Sequence, residues 1–359
     1  MIATPSLVDQ YCHGVLRTEL GLGTFEAHLG RTGGHAAPGT TFFDTQTGFA
    51  VRRWCPPLLG LEPHCPPARY LARRRELGVL ESGRRLLRAS GISTYLVDTG
   101  VPGDLTGPAE IASAGAAAAH EIVRLELLAE QVADTSGSVE ALLANLAEAV
   151  HGAAATAVAF TSVAGVSRGL AQAAEPPGPG EVRGAAGRWL AGRTVGGRLT
   201  DPVLLRHLLW VAVASGRPLQ LHVGADEPAG LADFAAATGG LGTDVVLLHG
   251  YPYHRQTAQL TGLFPHVYAD LGSVLARTGA RAAAVLAELL ELAPFGKLLF
   301  SSGAQALPEL HVVAASVFRG ALNRVLGEWV VDGSWSLGDA QRVATMIAAG
   351  NARRVYRLD

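Results

Sequence analysis

The sequence predicts an α/β fold in which eight parallel strands and their helices close into a (β/α)8 barrel. Short apolar runs alternate with segments of helical periodicity along most of the 359 residues, which is the pattern of repeated βα units. Most of the apolar runs end in polar residues, as expected where the carboxyl ends of strands build an active site. The hydrophobic fraction of 48% is ample for one large core. We therefore expect a single domain over residues 1–359.

The apolar runs place the strands in chain order. The predicted strands are 7–13, 92–98, 120–126, 155–162, 219–224, 245–250, 267–271 and 297–303, and the predicted later helices are 139–151, 184–192, 202–214, 308–326 and 337–349. Residues two apart on a strand point to the same face, so Arg124 and Glu126 would share one. The two side chains would form either a structural ion pair inside the barrel or part of the catalytic set.

A long segment separates the first two predicted strands. Residues 14–90 do not alternate, are rich in Gly, Pro and Arg, and include a charged helical stretch over 70–87. A connection of this length with its own aromatic residues and helix is typical of a functional loop. We expect this insertion to form a lid over the barrel mouth and not an independent domain.

Composition excludes several classes of partner. The net charge is −2 and no basic tract stands out, so neither nucleic acid nor an anionic membrane is an expected partner. We find no signal-peptide pattern and no uninterrupted apolar run long enough to span a bilayer. Cys12, Cys55 and Cys65 give no disulfide framework, so a cytoplasmic location is expected. Lys297 is the single lysine, and such Arg, Ala and Gly enrichment indicates a GC-rich genome.

Several motifs at strand ends carry a family resemblance. They are the Asp-x-x-x-His from Asp9 to His13, Leu221-His222-Val223, Leu248-His249-Gly250, Ser301-Ser302, and the terminal Gly350-Asn351-Ala352-Arg353-Arg354. With these motifs the chain resembles the amidohydrolase superfamily, in its amidohydrolase-2 branch, over nearly its whole length. The resemblance implies a metal-dependent hydrolase barrel whose ligands come from strands one, four, five, six and eight.

The chain departs from the implied metal site at three positions. Tyr11 stands where the family has the first histidine of a His-x-His pair, and Thr161 stands where a strand-four lysine is expected. Gly303 replaces the aspartate that ends strand eight, which in the family is both a ligand and the general base for water. Lys297 begins strand eight on the opposite rim and cannot restore a carboxylated bridge. We therefore expect no bridged two-metal centre.

Two kinds of chemistry remain open at the barrel mouth. A single zinc held by His13, His222 and His249 is one, because three imidazoles plus water form a catalytic coordination set. The other needs no cofactor, because imidazoles and carboxylates in a partly dry pocket shift their pKa values toward neutrality. For this second case the catalytic candidates are His13, Tyr11, His222, His249, Glu126 and Asp270, and the substrate-binding candidates are Arg124, Asp98, Thr161, Tyr251, His254 and Ser302.

Simpler structural roles are open for some of these residues. Tyr11 would either act as a proton donor or fill the volume that a metal occupies in relatives. His254 is expected to begin a helix, and His311 to pack under the mouth. Strand alternation points Cys12 away from His13, which disfavours a thiolate nucleophile.

Three functions from different classes follow from these alternatives. The first is a metal-independent enzyme that acts on a small metabolite by elimination, isomerisation, cyclisation or addition, in a specialised biosynthetic pathway. The second is a mononuclear zinc hydrolase of a C–N bond, with a γ-glutamyl amide as the substrate that the resemblance suggests. The third is a non-catalytic homologue retained for binding or assembly. Barrels of this branch often pair, so a homodimer is also expected.

Overall fold

The computed structural model describes residues 2–30, 34–101, 103–164, 174–223 and 228–359. Its eight strands follow one another around one sheet, and each neighbouring pair in that order is parallel. The strands are β1 (Leu7–Cys12), β2 (Ile92–Asp98), β3 (Ala118–Arg124), β4 (Ala159–Ser162), β5 (Leu219–His222), β6 (Val245–Leu248), β7 (Val267–Asp270) and β8 (Leu298–Leu299). The predicted (β/α)8 barrel is confirmed.

Backbone hydrogen bonds close the seam between the first and last strands. The amide of Gln10 donates to the carbonyl of Phe300 at 3.1 Å, and the amide of Gly303 donates to the carbonyl of Tyr11 at 3.0 Å. Because this seam carries the continuation of β8 beside β1, residues at the end of β8 lie next to those at the end of β1. The predicted eighth strand over 297–303 is therefore mostly extended chain after a two-residue strand.

Helices surround the barrel. They are α1 (Leu22–Leu29), α2 (Gln46–Trp54), α3 (Pro67–Leu77), α4 (Val79–Ala89), α5 (Pro108–Gly115), α6 (Leu125–Thr135), α7 (Val139–Thr156), α8 (Pro179–Gly192), α9 (Pro202–Ala214), α10 (Leu231–Thr238), α11 (His254–Leu263), α12 (Gly272–Thr278), α13 (Ala282–Leu292), α14 (Pro308–Val331), α15 (Leu337–Thr345) and α16 (Asn351–Tyr356). A π-helical segment, Met346–Gly350, joins the last two. None of the described helices combines the length and apolar character that crossing a bilayer requires.

The core has an inner and an outer part. Inside the barrel, alternate strand residues such as Val8, Leu96 and Val246 pack together, and α16 closes the lower end with Tyr356. Outside it, the other strand faces pack against the surrounding helices. Each fully buried aliphatic or aromatic side chain contributes roughly 1.5–3 kcal/mol. The polar ends of the strands are thus held on a rigid frame.

The insertion over 14–90 contains α1 to α4 and packs on α14. Its buried residues form one cluster with side chains of α14. Within that contact Arg74 Nε lies 2.9 Å from Glu309 Oε1, and both side chains are buried. The Tyr70 hydroxyl donates to the same oxygen at 2.7 Å. The charged stretch predicted as one helix is two, because Gly78 with φ +78° ends α3. A lid role stays a prediction.

An extra residue interrupts the pairing of β1 with β2. The three steps from Asp9 to Cys12 on β1 are opposed by two steps on β2, which defines a β-bulge. The bulge resets the alternation, so Gln10 and Tyr11 both face the barrel interior. Asp9 faces outward and accepts hydrogen bonds from Ser302 N at 2.7 Å and Ser302 Oγ at 2.5 Å. Cys12 also faces outward, as predicted.

The third strand ends earlier than predicted. It closes at Arg124, and the chain turns directly into α6, whose first turn contains Glu126. The two residues therefore do not share a strand face, and the prediction from strand alternation is wrong here. Leu125 fills an apolar site in the outer core instead. The apolar spacing of residues 125, 129 and 133 along α6 is the helical signal that the strand assignment missed.

Candidate active site

A buried tyrosine stands at the centre of the barrel mouth. The Tyr11 side chain is 1% exposed, and its hydroxyl lies 3.0 Å from His13 Nε2 and donates to Asp98 Oδ2 at 3.0 Å. His13 Nδ1 lies 2.9 Å from the backbone carbonyl of Asp98. Because a carbonyl can only accept, Nδ1 carries the proton and the Nε2 of a neutral His13 presents a lone pair to the phenol.

Asp98 connects this tyrosine to an arginine. Arg124 donates to Asp98 Oδ2 and, at 3.4 Å, to the Tyr11 hydroxyl. The amide of Gly100 donates to Asp98 Oδ1 at 2.8 Å. The Asp98 side chain is fully buried and that of Arg124 is 16% exposed. The predicted ion pair of Arg124 with Glu126 is wrong, because the Arg124 guanidinium is paired with the carboxylate that ends β2.

Three histidine rings surround Tyr11, and we call His13, His222 and His249 the imidazole cluster. The Tyr11 ring centroid lies 5.2 Å from those of His13 and His222 and 5.4 Å from that of His249, in edge-to-face arrangements. The His222 and His249 rings are 5.0 Å apart. The structure therefore brings together four of the predicted catalytic residues.

His249 reaches the cluster by an unpredicted route. Leu248 is the last residue of β6 and faces the barrel interior, so strand alternation would turn the next side chain outward. His249 instead has a φ of +62°, a left-handed conformation that is uncommon for a residue with a Cβ atom. Its Nδ1 lies 2.6 Å from Ser273 Oγ, which donates to Asp270 Oδ2 at 3.3 Å. Asp270 thus positions His249 through Ser273.

Glu126 lies beside the mouth and has a partner of its own. Its Oε1 accepts hydrogen bonds from Ser162 Oγ at 2.5 Å and from Val163 N at 3.0 Å. Its Oε2 is buried and has no hydrogen-bond partner among the described residues. A neutral Glu126 would therefore carry its proton on Oε2.

The surroundings shift the pKa values of these groups. Burial lowers the pKa of His13, against the opposing effect of Asp98. Burial, followed by His249 and Arg124, lowers the pKa of His222 well below its usual value. Burial raises the pKa of Glu126 and of Asp270, and burial with Asp98 raises that of Tyr11 well above 10. Near neutral pH His13 and His222 are neutral and Tyr11 keeps its proton.

Two cavities adjoin the cluster. The one we call the glutamate cavity has a volume of about 770 Å³ and is lined by Arg124, Glu126, Glu130, Asp134 and Arg198 among others. The second, which we call the arginine cavity, has a volume of about 610 Å³, and its lining includes His28, Arg198, Ser273, Arg277 and Gly303. Both volumes are of the size that small metabolites occupy.

The remaining predicted binding residues lie in different places. Ser302 lines the arginine cavity, but its hydroxyl is engaged with Asp9. Thr161 is fully buried inside the barrel and lines neither cavity. His254 begins α11, as predicted, and its Nε2 lies 2.8 Å from Glu288 on α13. Tyr251 is 41% exposed and stacks on His254. Thr161, His254 and Tyr251 therefore line neither cavity.

At two described positions, Tyr11 and Gly303, the mouth differs from the ligands that the family resemblance implies. Among the described residues, the one group of three His, Cys, Asp or Glu donor atoms within 4.8 Å of one another is Asp9, Cys12 and His311, on the outer face of β1. Between the three rings of the imidazole cluster stands the Tyr11 phenol. A Cβ atom at Gly303 would approach Ser273 Cβ to 2.7 Å, at a φ of +56°, so an aspartate there would require rearrangement.

Sequence reasoning missed three residues of the site. Ser273 follows Asp270 by three positions, and its place just after a strand end was a usable signal. Arg277 on α12 and Arg198 between α8 and α9 carry no local motif. Only the folded chain brings these two arginines to one cavity.

Comparison with known proteins agrees with this architecture. The model of the family Amidohydro_2, described as amidohydrolase, matches residues 96–358. The barrel superimposes on a Lactobacillus casei ATCC 334 protein that is provisionally named a metal-dependent hydrolase, with 24% identity and a TM-score of 0.85 over 99% of this chain and 96% of that one. It also resembles a Thermotoga maritima uronate isomerase, with 13% identity and a TM-score of 0.60 over 98% and 94% of the two chains.

A curated relative matches a shorter region. Protein fluG of Emericella nidulans is 34% identical over 154 residues, which is 40% of this chain and 18% of fluG. The match thus spans less than a fifth of that longer protein. The family model covers more than half of the chain and includes the end of β2 and all of β3 to β8, with the strand ends that carry His222 and His249. The chain therefore belongs to the amidohydrolase family.

Proposed function

We propose that this chain is an enzyme that acts on a small metabolite by acid–base chemistry without a metal. The observation that supports this most is the position of Tyr11. Its phenol stands between His13 Nε2 and Asp98 Oδ2 at 3.0 Å from each, inside the imidazole cluster. A proton donor held against a neutral imidazole in a dry pocket is an arrangement for proton transfer.

His13 and Tyr11 would move a proton together. The carbonyl of Asp98 fixes the proton of His13 on Nδ1. When the Tyr11 hydroxyl turns its proton from Asp98 Oδ2 to His13 Nε2, Nε2 can take that proton as the Tyr11 oxygen takes one from substrate. In the reverse direction the same pair returns the proton. Arg124 donates to the phenol oxygen, which stabilises negative charge that develops there or on a substrate oxygen.

Glu126 would supply a second proton-transfer group. Burial raises its pKa, and Oε1 is occupied by two hydrogen bonds, so the protonated form carries its proton on Oε2. This side chain and Arg124 line the same cavity. An acid with a raised pKa and a base with a lowered pKa at one mouth are the two groups that elimination, isomerisation, cyclisation or addition requires. Amide hydrolysis fits less well, because without a metal these residues activate water only by general-base catalysis.

Proton exchange tests this proposal before the product is known. Chelator-treated protein is incubated in deuterated water with a panel of hydroxy acids, keto acids and sugars, and loss of C–H signals is followed by NMR. We expect exchange that survives chelation and falls by roughly 10²–10⁴-fold in Tyr11→Phe, the range for general acid–base catalysis. Tyr95→Phe is the matched control, since Tyr95 is a fully buried tyrosine in the outer core. Exchange that appears only after zinc is added would contradict the proposal.

A mononuclear zinc hydrolase of C–N bonds is the second candidate. It is favoured by one observation, namely that His222 Nε2 is buried without a hydrogen-bond partner among the described residues. Such an atom would gain from a ligand. Metal analysis of protein purified without chelator separates the two candidates, since about one zinc per chain would support the hydrolase. A protein that shows neither proton exchange nor bound zinc would support the third function, a non-catalytic homologue.

A further inference from the structure

The wall of the glutamate cavity is largely apolar, with a few charged side chains. Its larger apolar residues are Val101, Leu127, Val163, Leu199 and Leu205. Leu199 and Leu205 belong to the outer core. The other three are only partly buried and lie outside the hydrophobic clusters that the described residues form. A concave site of this kind binds a ligand that has an apolar body and a polar group at a defined place.

Arg124 and Glu126 in this wall each leave one buried atom without a hydrogen bond. Arg124 uses Nη2 for Asp98 and Tyr11, and its Nε has no acceptor among the described residues. Glu126 is 5% exposed and uses Oε1 for two hydrogen bonds. Its Oε2 has no partner in the same described part of the chain. Such atoms cost free energy when they stay unpaired, and a ligand that supplies the missing partner recovers it.

The charges around the glutamate cavity are balanced when Glu126 is protonated. Besides Glu126, the charged side chains of the described wall form two ion pairs with the protein and leave one acid and one base. The ion pairs are Arg124 with Asp98 and Asp134 with Arg193, and the other two residues are Glu130 and Arg198. Burial raises the pKa of Glu126, which favours its uncharged form. The wall therefore suits an uncharged ligand better than an ion.

Arg124 connects this cavity to the imidazole cluster. Its Nη2 donates to the Tyr11 hydroxyl at 3.4 Å, and Nε belongs to the same planar guanidinium group. Arg124 and Glu126 are two positions apart where β3 passes into α6, and the charge of Arg124 acts on the Glu126 carboxyl group. A ligand atom that contacts Nε and Oε2 therefore lies beside the phenol.

We propose that the glutamate cavity binds an uncharged carbonyl compound with an apolar body, whose carbonyl oxygen accepts from Arg124 Nε and from the protonated Oε2 of Glu126. This rests on the proposed function, because the carbonyl compound is the molecule that exchanges a proton at Tyr11. Two donors at the carbonyl oxygen stabilise the negative charge that develops there when a neighbouring C–H bond breaks. The substrate class is then a ketone, an ester or a lactone.

The proton transfer at such a substrate needs no further reactant. The proton of the C–H bond goes to the Tyr11 oxygen as the phenolic proton goes to His13 Nε2. The electron pair of the C–H bond forms the C=C bond of an enolate, and the π pair of the carbonyl group moves onto its oxygen. Arg124 and Glu126 hold that oxygen by hydrogen bonds, and return of the proton to carbon reverses the step.

Binding of acetophenone tests the site without any turnover. Ligand-observed NMR measures its affinity, and infrared difference spectroscopy follows its C=O stretch, which moves to lower wavenumber when hydrogen bonds polarise the carbonyl group. We expect saturable binding, weakened about fivefold or more in Glu126→Leu and in Arg124→Lys with part of the infrared shift lost. Glu126→Gln should keep both, because Ser162 and Val163 hold the amide oxygen at the place of Oε1 and the amide nitrogen donates from that of Oε2.

Matched variants separate an effect on the cavity from a loss of fold. Arg124→Lys keeps a cation for Asp98 and removes only the Nε–H group and the planar shape. Leu127→Ser should weaken acetophenone binding about threefold or more, whereas Leu263→Ser, at an exposed position on α11 outside the cavity wall, should not. Benzoate carries a charge on the same ring and should bind more weakly than acetophenone.

Two kinds of result would overturn the carbonyl site. One is absence of saturable acetophenone binding, and the other is equal affinity and equal infrared shift in the wild type, Glu126→Leu and Arg124→Lys. Tighter binding of benzoate than of acetophenone would refute the uncharged substrate class. Tyr11→Phe should retain acetophenone binding and lose exchange of the acetophenone methyl protons in deuterated water. Exchange that persists in this variant would contradict the acid–base proposal and not the carbonyl site.

Discussion

The pair formed by Asp98 and Arg124 offers the sharpest test of how the mouth is held together. Asp98→Asn keeps the shape and an oxygen that accepts from Gly100 N, but it removes the charge that faces Arg124 and puts an amide nitrogen in place of the oxygen that accepts from Tyr11. Arg124→Gln removes the other charge. The double variant removes both, so that neither group is left as an uncompensated ion.

The expected magnitude follows from burial. Removing one partner of a buried ion pair costs about 3–5 kcal/mol. The Arg124 side chain retains 16% of its surface, so water compensates part of this and we expect about 2.5 kcal/mol for Asp98→Asn. Unfolding entropy near 2.1 cal/mol/K per residue gives about 0.75 kcal/mol/K for 359 residues. The melting temperature should therefore fall by about 3 °C.

Thermal and urea unfolding of the four proteins in this cycle measure the coupling. We expect the double variant to be more stable than the sum of the single effects predicts, by about 1–2 kcal/mol, since residues in direct contact couple on this scale. Strictly additive effects, or an Asp98→Asn protein as stable as the wild type, would show that the contact does not stabilise the mouth.

Three further predictions concern residues of the barrel mouth. Tyr11→His should rebuild the His-x-His pair and tighten zinc binding about tenfold or more in calorimetry, whereas Tyr11→Phe should not, and equal zinc affinity in both would refute the fit argument. Gly303→Ala should destabilise the fold by about 1–3 kcal/mol in urea unfolding, because φ is +56° and the added Cβ atom meets Ser273; wild-type stability would contradict this. Burial lowers the pKa of His222, so stability should be present above about pH 6.5 and decline below it by up to about 1.4 kcal/mol per pH unit. The His222→Asn variant should lose the part of the pH dependence of stability that His222 contributes. An unchanged pH dependence would contradict the prediction.

The sequence was sufficient for the architecture and for the centre of the site. The second strand has the predicted bounds of 92–98, because its apolar run is bounded by polar residues and glycine. Tyr11 and His13 face inward together, because a two-residue period survives past the bulge. These features depend on local patterns of polar and apolar residues, which are visible in a single sequence.

Other parts of the site depend on contacts that no local pattern contains. The prediction placed Glu126 on a strand because polar and apolar residues alternate over 120–126. In the structure Leu125 packs in the outer core and is the first residue of α6. His249 reaches the cluster through a left-handed backbone conformation, and its ring is hydrogen-bonded to Ser273, which lies 24 residues further along the chain. Arg198 comes from an irregular segment, and only the folded chain shows that it lines both cavities.

The bulge in β1 has a consequence for how this barrel can change. Asp9 and His13 are four positions apart and would share a face on a regular strand, yet one serves the outer contact with Ser302 and the other the interior. Deleting either Gln10 or Tyr11 would remove the bulge and leave a regular strand, on which Asp9 still faces outward and His13 still faces the interior. The bulge therefore lets β1 present two consecutive side chains, Gln10 and Tyr11, to the barrel interior without moving the outer contact of Asp9.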